Sequence, residues 1–112
     1  MRKDYLCGKF MSPKLFIYNG IELLFFSNDH LPVHVHAIYE RTYGMKVEFT
    51  KKNNKIIKIE YKGLKGFKKF KPAQMRDLKK LIAKYADQIT NDWIDFYVQG
   101  TKIKTRIITK KL

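Results

Sequence analysis

The chain has 112 residues, 45% apolar and 14% aromatic, with 24 Lys and Arg against 10 Asp and Glu and a formal charge of +14. That length and composition imply one folded domain large enough to bury a core, and they exclude a disordered chain. Cys7 is the single cysteine, which excludes an internal disulfide; no apolar run nears the ~18 residues of a membrane span, and no signal-peptide core follows the charged N-terminus, so a cytoplasmic protein is expected.

Residues 1–12 lack periodicity and are expected to form a flexible arm ahead of one domain over 13–112. Leu15-Phe16-Ile17-Tyr18 and Ile21-Glu22-Leu23-Leu24 flank Asn19-Gly20. Asn-Gly between apolar runs signals a type I′ hairpin, because both central positions need positive φ. The pairing sets Tyr18 against Ile21, Phe16 against Leu23, Ile17 against Glu22 and Leu15 against Leu24.

Ser27 to Pro32 reads as a loop and Val33 to Tyr39 as a strand with a period of two. Val33, Val35, Ala37 and Tyr39 share one face, and His34, His36 and Ile38 the other. A second hairpin follows, in which Met45, Val47 and Phe49 alternate with charged residues, as do Ile57, Ile59 and Tyr61. A two-residue turn at Asn53-Asn54 would mix the faces. A three-residue loop, Lys52-Asn53-Asn54, predicts Phe49 opposite Ile57 and Val47 opposite Ile59, with Glu48 facing Lys58 and Lys46 facing Glu60.

Gly63 to Lys71 is a glycine- and lysine-rich loop without the spacing of a Walker motif. Pro72 suits a helix start. The stripe Met75, Leu78, Leu81/Ile82, Tyr85, Ile89, Trp93, Phe96 predicts one long helix, or two joined near Thr90, with Gly100 beyond its end. Lys102 to Thr109 alternates again and predicts a basic edge strand with Ile103, Thr105 and Ile107 on one face. The fold class is therefore α+β: an antiparallel meander of five to six strands with one long or broken helix packed on one face.

All three histidines lie in Asn28-Asp29-His30-Leu31-Pro32-Val33-His34-Val35-His36-Ala37. Three chemistries suit them. His30, His34, His36 and Asp29 could ligate a divalent metal with a position left open for water. His34 and His36 could work as an acid–base pair in a ribonuclease-like reaction, with Arg41 or a lysine stabilising the developing negative charge. Or the histidines hydrogen-bond to backbone or to Tyr39 and Glu40 in a structural or binding role, beneath a turn built by Asn28, Asp29 and Pro32. The last is the ordinary use of such a pair, so no cofactor is expected and a divalent metal is the alternative.

The charge is polarised. Residues 51–71 hold nine lysines and one acid, Glu60; Lys102 to Lys111 holds five cations and no acid; Asp87, Asp92 and Asp95 make an acidic patch. Lys65, Lys68, Lys69 and Arg41 are the expected phosphate contacts for RNA or DNA, and Phe67 or Phe70 could stack on bases, although one of them is expected to pack beneath the helix. Twenty of the 24 cations are lysine, a bias that an AT-rich genome also produces.

The run from Phe25 to Ala37, with His-x-His-Ala leading into a strand, resembles the signature of a bacterial family of small proteins, domain-of-unknown-function family 4160. The helix with a tryptophan near its end, Trp93, is similar too. The resemblance covers roughly residues 11–100. Members often carry two prolines before His-x-His, where this chain has Val33 in place of the second, and this chain is richer in lysine. The resemblance implies a small protein partner encoded nearby, in an arrangement like a toxin–antitoxin pair, and with it a nucleic-acid link.

Overall fold

The computed structural model describes residues 14–25 and 33–112; the expected arm and the Ser27–Pro32 loop lie outside them. The elements are β1 (Lys14–Tyr18), β2 (Ile21–Leu24), β3 (Val33–Tyr39), β4 (Tyr43–Lys52), β5 (Lys55–Gly63), α1 (Pro72–Tyr97) and β6 (Arg106–Ile108). They form a six-stranded sheet in the order β5-β4-β3-β2-β1-β6 with the helix packed against it, an α+β fold. Five strands run as an antiparallel meander, and β6 joins β1 in parallel.

Asn19 (φ 48°) and Gly20 (φ 81°) form the expected left-handed turn. Gly20 is also needed for space, since a Cβ there would lie 2.8 Å from the Tyr39 ring. The first hairpin keeps the expected register until Phe16–Leu23; a bulge then sets Lys14, not Leu15, opposite Leu24. Leu15 is fully buried as the extra residue.

The second hairpin solves its parity problem differently from expectation. Asn53 and Asn54 form a two-residue turn with φ of 54° and 64°, with Lys52 opposite Lys55. A bulge past Lys51–Ile56 then shifts the register by one, so Phe49 faces Ile59 and Val47 faces Tyr61. Ile57 is the residue left over, and it is 59% exposed. A bulge and an odd loop both change the facing parity by one, so either preserves an apolar inner face.

Phe16, Tyr18, Leu23, Val35, Ala37, Val47 and Phe49 build the core face beneath α1. The Tyr85 ring sits 4.6 Å from that of Phe16, and Lys79 Nζ lies 5.6 Å above the Tyr61 ring. Pro72 opens the helix, and the Lys71 N–H donates to Gln74 Oε1 at 2.7 Å. The predicted stripe is buried or half-buried throughout. The helix is kinked, with the break at Tyr85 (φ −120°, ψ 18°), at the contact with Phe16, rather than near Thr90.

The last strand is short and reversed in facing. Ile107 is 67% exposed, while Arg106 and Ile108 align with Phe16 and Tyr18 on the core face. Arg106 turns inward because Asp92, only 3% exposed, receives its guanidinium at 2.8 Å. Gln88 Nε2 donates to the other carboxylate oxygen at 2.9 Å. Asp92 therefore leaves the expected acidic patch and ties the helix to β6.

Candidate functional site

Alternation along β3 puts Val33, Val35 and Ala37 under the helix and sends His34 and His36 to the other face of the sheet. The two rings lie 5.5 Å apart between centroids, tilted by 36°. His36 is 7% exposed, between Leu24 and Lys46 in register; His34 is half-buried and faces Glu48. Phe25, just after β2, is fully buried against Phe96 and Tyr97 at 5.9 and 5.5 Å. Trp93 joins that aromatic cluster, 5.1 Å from Tyr97, as a core residue.

Beside the histidines lies a charge network that the expected register did not contain. The bulge sets Glu48 opposite Glu60 and Lys46 opposite Lys62. Opposing like charges repel, and the lysines turn to Glu48 instead: Lys62 Nζ reaches it diagonally across the strands at 2.9 Å and Lys46 Nζ along β4 at 3.2 Å. The hydrogen bond from Lys62 holds the Glu48 carboxyl below its usual range against the opposing effect of burial, and the same bond raises Lys62. Lys58 pairs with Glu60 at 3.5 Å and Lys14 with Glu22 at 3.3 Å. The cations on this face are thus largely neutralised.

His30 and Asp29 lie outside the described residues. Among the described residues no three His, Cys, Asp or Glu side chains stand close enough to hold a metal, His34, His36 and Glu48 included. Arg41 occupies the β3–β4 turn with φ 60°, five positions beyond His36. Lys46 stands opposite His36 in register.

Arg41 belongs with the basic loop. The Lys68 N–H donates to Thr42 O at 3.0 Å, and the Gly44 N–H donates to Lys68 O at 3.0 Å. These bonds fold the loop back beside the turn, so Arg41, Lys65, Lys68, Lys69 and Lys71 gather at one end of the β5 edge. All five are exposed, and none forms an ion pair among the described residues. Lys71, absent from the expected set, carries its Nζ 5.7 Å above the Tyr43 ring.

The two loop phenylalanines separate. Phe70 is 7% exposed and belongs to the core, so it does not offer a face to a base. Phe67 is half-buried over Gly44, where a Cβ would come within 2.7 Å of its Cγ. The expectation that one of the two packs inward was right; the pattern of aromatics and lysines could not say which.

The fold and site define a small α+β domain whose sheet is closed by a helix on one side and carries a histidine pair on the other. Residues 20–94 match the family described as Domain of unknown function (DUF4160), and the chain belongs to that family. The match runs from the first turn through the histidine strand and basic loop to the last turn of α1, short of β6. No curated protein and no solved structure matches the chain. Among the described residues no helix is long and apolar enough to cross a membrane.

Proposed function

We propose that this protein binds nucleic acid through the β5 end of its sheet, as the basic member of a bacterial, cytoplasmic toxin–antitoxin-like or regulatory pair with a small protein partner. One observation carries the nucleic-acid reading: Arg41, Lys65, Lys68, Lys69 and Lys71 gather with no ion pair among the described residues, while lysines on the histidine face of the sheet are paired. Unpaired cations release counterions from a phosphate chain; paired ones must first break their own bonds. The partner rests on the family resemblance.

Fluorescence anisotropy with labelled RNA and DNA tests this reading. About five phosphate contacts should weaken affinity by roughly a hundredfold or more between ~50 and ~200 mM salt. Lys65→Glu, Lys68→Glu and Lys69→Glu together should flatten the salt slope by roughly two to three units. Absence of binding at ~50 mM salt refutes the surface and leaves the lysines as a compositional bias.

The second reading is an acid–base enzyme, favoured by the 5.5 Å separation of the His34 and His36 rings beside Lys46 and Lys62. An RNA-cleavage assay divides it from a structural role. A structural His36→Ala lowers stability by roughly 1–3 kcal/mol, as loss of a buried polar contact does, with no cleavage to lose. A catalytic pair loses cleavage in His34→Ala and His36→Ala while melting hardly changes.

A further inference from the structure

The opposite edge of the sheet holds a second basic feature. A groove of about 940 Å³ lies between α1 and the C-terminal segment, with Lys80, Ala83 and Lys84 on the helix wall and residues 107–112 on the other. Lys80, Lys84, Lys110 and Lys111 line it, and among the described residues no acidic side chain does. Ile108 adds half-buried aliphatic surface on the α1 side, while Ile107, 67% exposed, turns its side chain to the other face of the sheet. Along this side β6 is an edge strand, paired with β1 and with no other described strand. Its C-terminal continuation is tied down, since the Leu112 N–H donates to Tyr18 Oη at 3.0 Å. The wall is therefore held in place before any ligand arrives.

We propose that this groove is the docking site for an acidic, extended segment of a partner protein, which adds a strand to β6 and sets its carboxylates against the four lysines. Strand addition meets the open backbone groups of an edge, and alternate side chains then supply specificity. Charge complementarity chooses the occupant. A second copy of this chain would bring the same lysines against these and be repelled. A single-stranded nucleic acid would satisfy the lysines but, among the described residues, finds no free ring to stack on, because Tyr85, the one aromatic among the described lining residues, has its ring against Phe16 at 4.6 Å. A peptide alternating acidic with aliphatic residues sends its carboxylates to the α1 side, toward Lys80 and Lys84, and its aliphatic side chains to the other face beside Ile107.

The test uses the full chain and a labelled nine-residue synthetic peptide that alternates glutamate with valine, at ~150 mM salt, where distant charges are screened. Three comparison probes are an oligoglutamate of equal charge, the same peptide with proline in place of alternate valines, and single-stranded DNA of equal charge. The alternating peptide should bind best, with the other three at least about tenfold weaker. Lys80→Glu with Lys84→Glu should weaken it by about tenfold, as should Lys110→Glu with Lys111→Glu. The variant Lys65→Glu, Lys68→Glu, Lys69→Glu should bind the peptide within about twofold of the native chain, which separates this groove from the β5 surface. Thermal melting confirms that each variant folds. Equal binding of oligoglutamate or of the proline peptide would show charge alone at work and overturn strand addition. Tighter binding of DNA, or no binding of the alternating peptide, would overturn the proposal outright.

Discussion

Replacing Arg106 with alanine should destabilise the fold by roughly 2–4 kcal/mol, although β6 is only three residues long. The substitution strips a guanidinium from Asp92, whose side chain is 5% exposed, and leaves Gln88 as its remaining donor. Breaking a buried pair by removing one partner costs about 3–5 kcal/mol. The Arg106 side chain is itself 40% exposed, so solvent screening moves the cost toward the ~1.5–3 kcal/mol of one charged hydrogen bond. Loss of the cation from 5.3 Å above the Phe16 ring adds about 0.5–1 kcal/mol. For a chain of this size the change lowers Tm by on the order of 10 °C. Urea denaturation of the native chain, Arg106→Ala, Asp92→Ala and the double variant measures it. The double variant should cost clearly less than the sum of the two, because the uncompensated carboxylate has gone. An Arg106→Ala effect within ~0.5 kcal/mol of native, or strict additivity, would show that the pair does not anchor the edge.

Gly44→Ala should cost about 1–3 kcal/mol by overpacking, because the new Cβ meets Phe67 at its Cγ and Cβ, 2.7 and 2.9 Å away, too near the backbone to swing clear. Phe67→Ala in the same chain should recover part of that loss, and full additivity in denaturant melts would refute the contact. Glu48 titrates below its usual range in the folded protein, so its contribution to stability is present above the unfolded carboxyl value near ~4.3 and is lost as pH falls through the lowered folded value. Glu48→Gln should therefore lose less stability than the native chain between pH ~5 and ~3, and parallel stability curves over that range would refute the network.

Much of the fold was legible because its signals are local. Asn19-Gly20 specified a left-handed turn by its own backbone preferences. Val33 to Tyr39 put the valines inward and the histidines together by simple alternation, and the ring separation follows from their sharing a face. Pro72 and the stripe from Met75 to Phe96 marked the helix and its buried side. The register of the second hairpin was readable in its aim, an apolar inner face, but not in its means. Asn53-Asn54 suits a two-residue turn as well as it suits a longer loop, and where a bulge falls depends on packing across the sheet rather than on the turn.

At the site, the sequence by itself determined the histidine face, the excess of cations and the expectation that one loop phenylalanine lies inside. Tertiary structure alone decided which lysines are neutralised, because ion pairs such as Lys62–Glu48 depend on a register shifted by one bulge. It also decided that the 65–71 loop folds back beside the turn that carries Arg41, through two backbone hydrogen bonds of Lys68. The edge strand shows the same division most clearly. Alternation in Lys102 to Thr109 reveals a strand with two faces, yet cannot tell which face is inner when one side carries isoleucine and the other arginine. Asp92 buried in the helix, and the Thr105 hydroxyl donating to Lys14 O at 2.8 Å from 91 positions away, settle it in favour of Arg106. Local pattern records what each residue prefers; a buried charge obtains its partner only once distant segments have met.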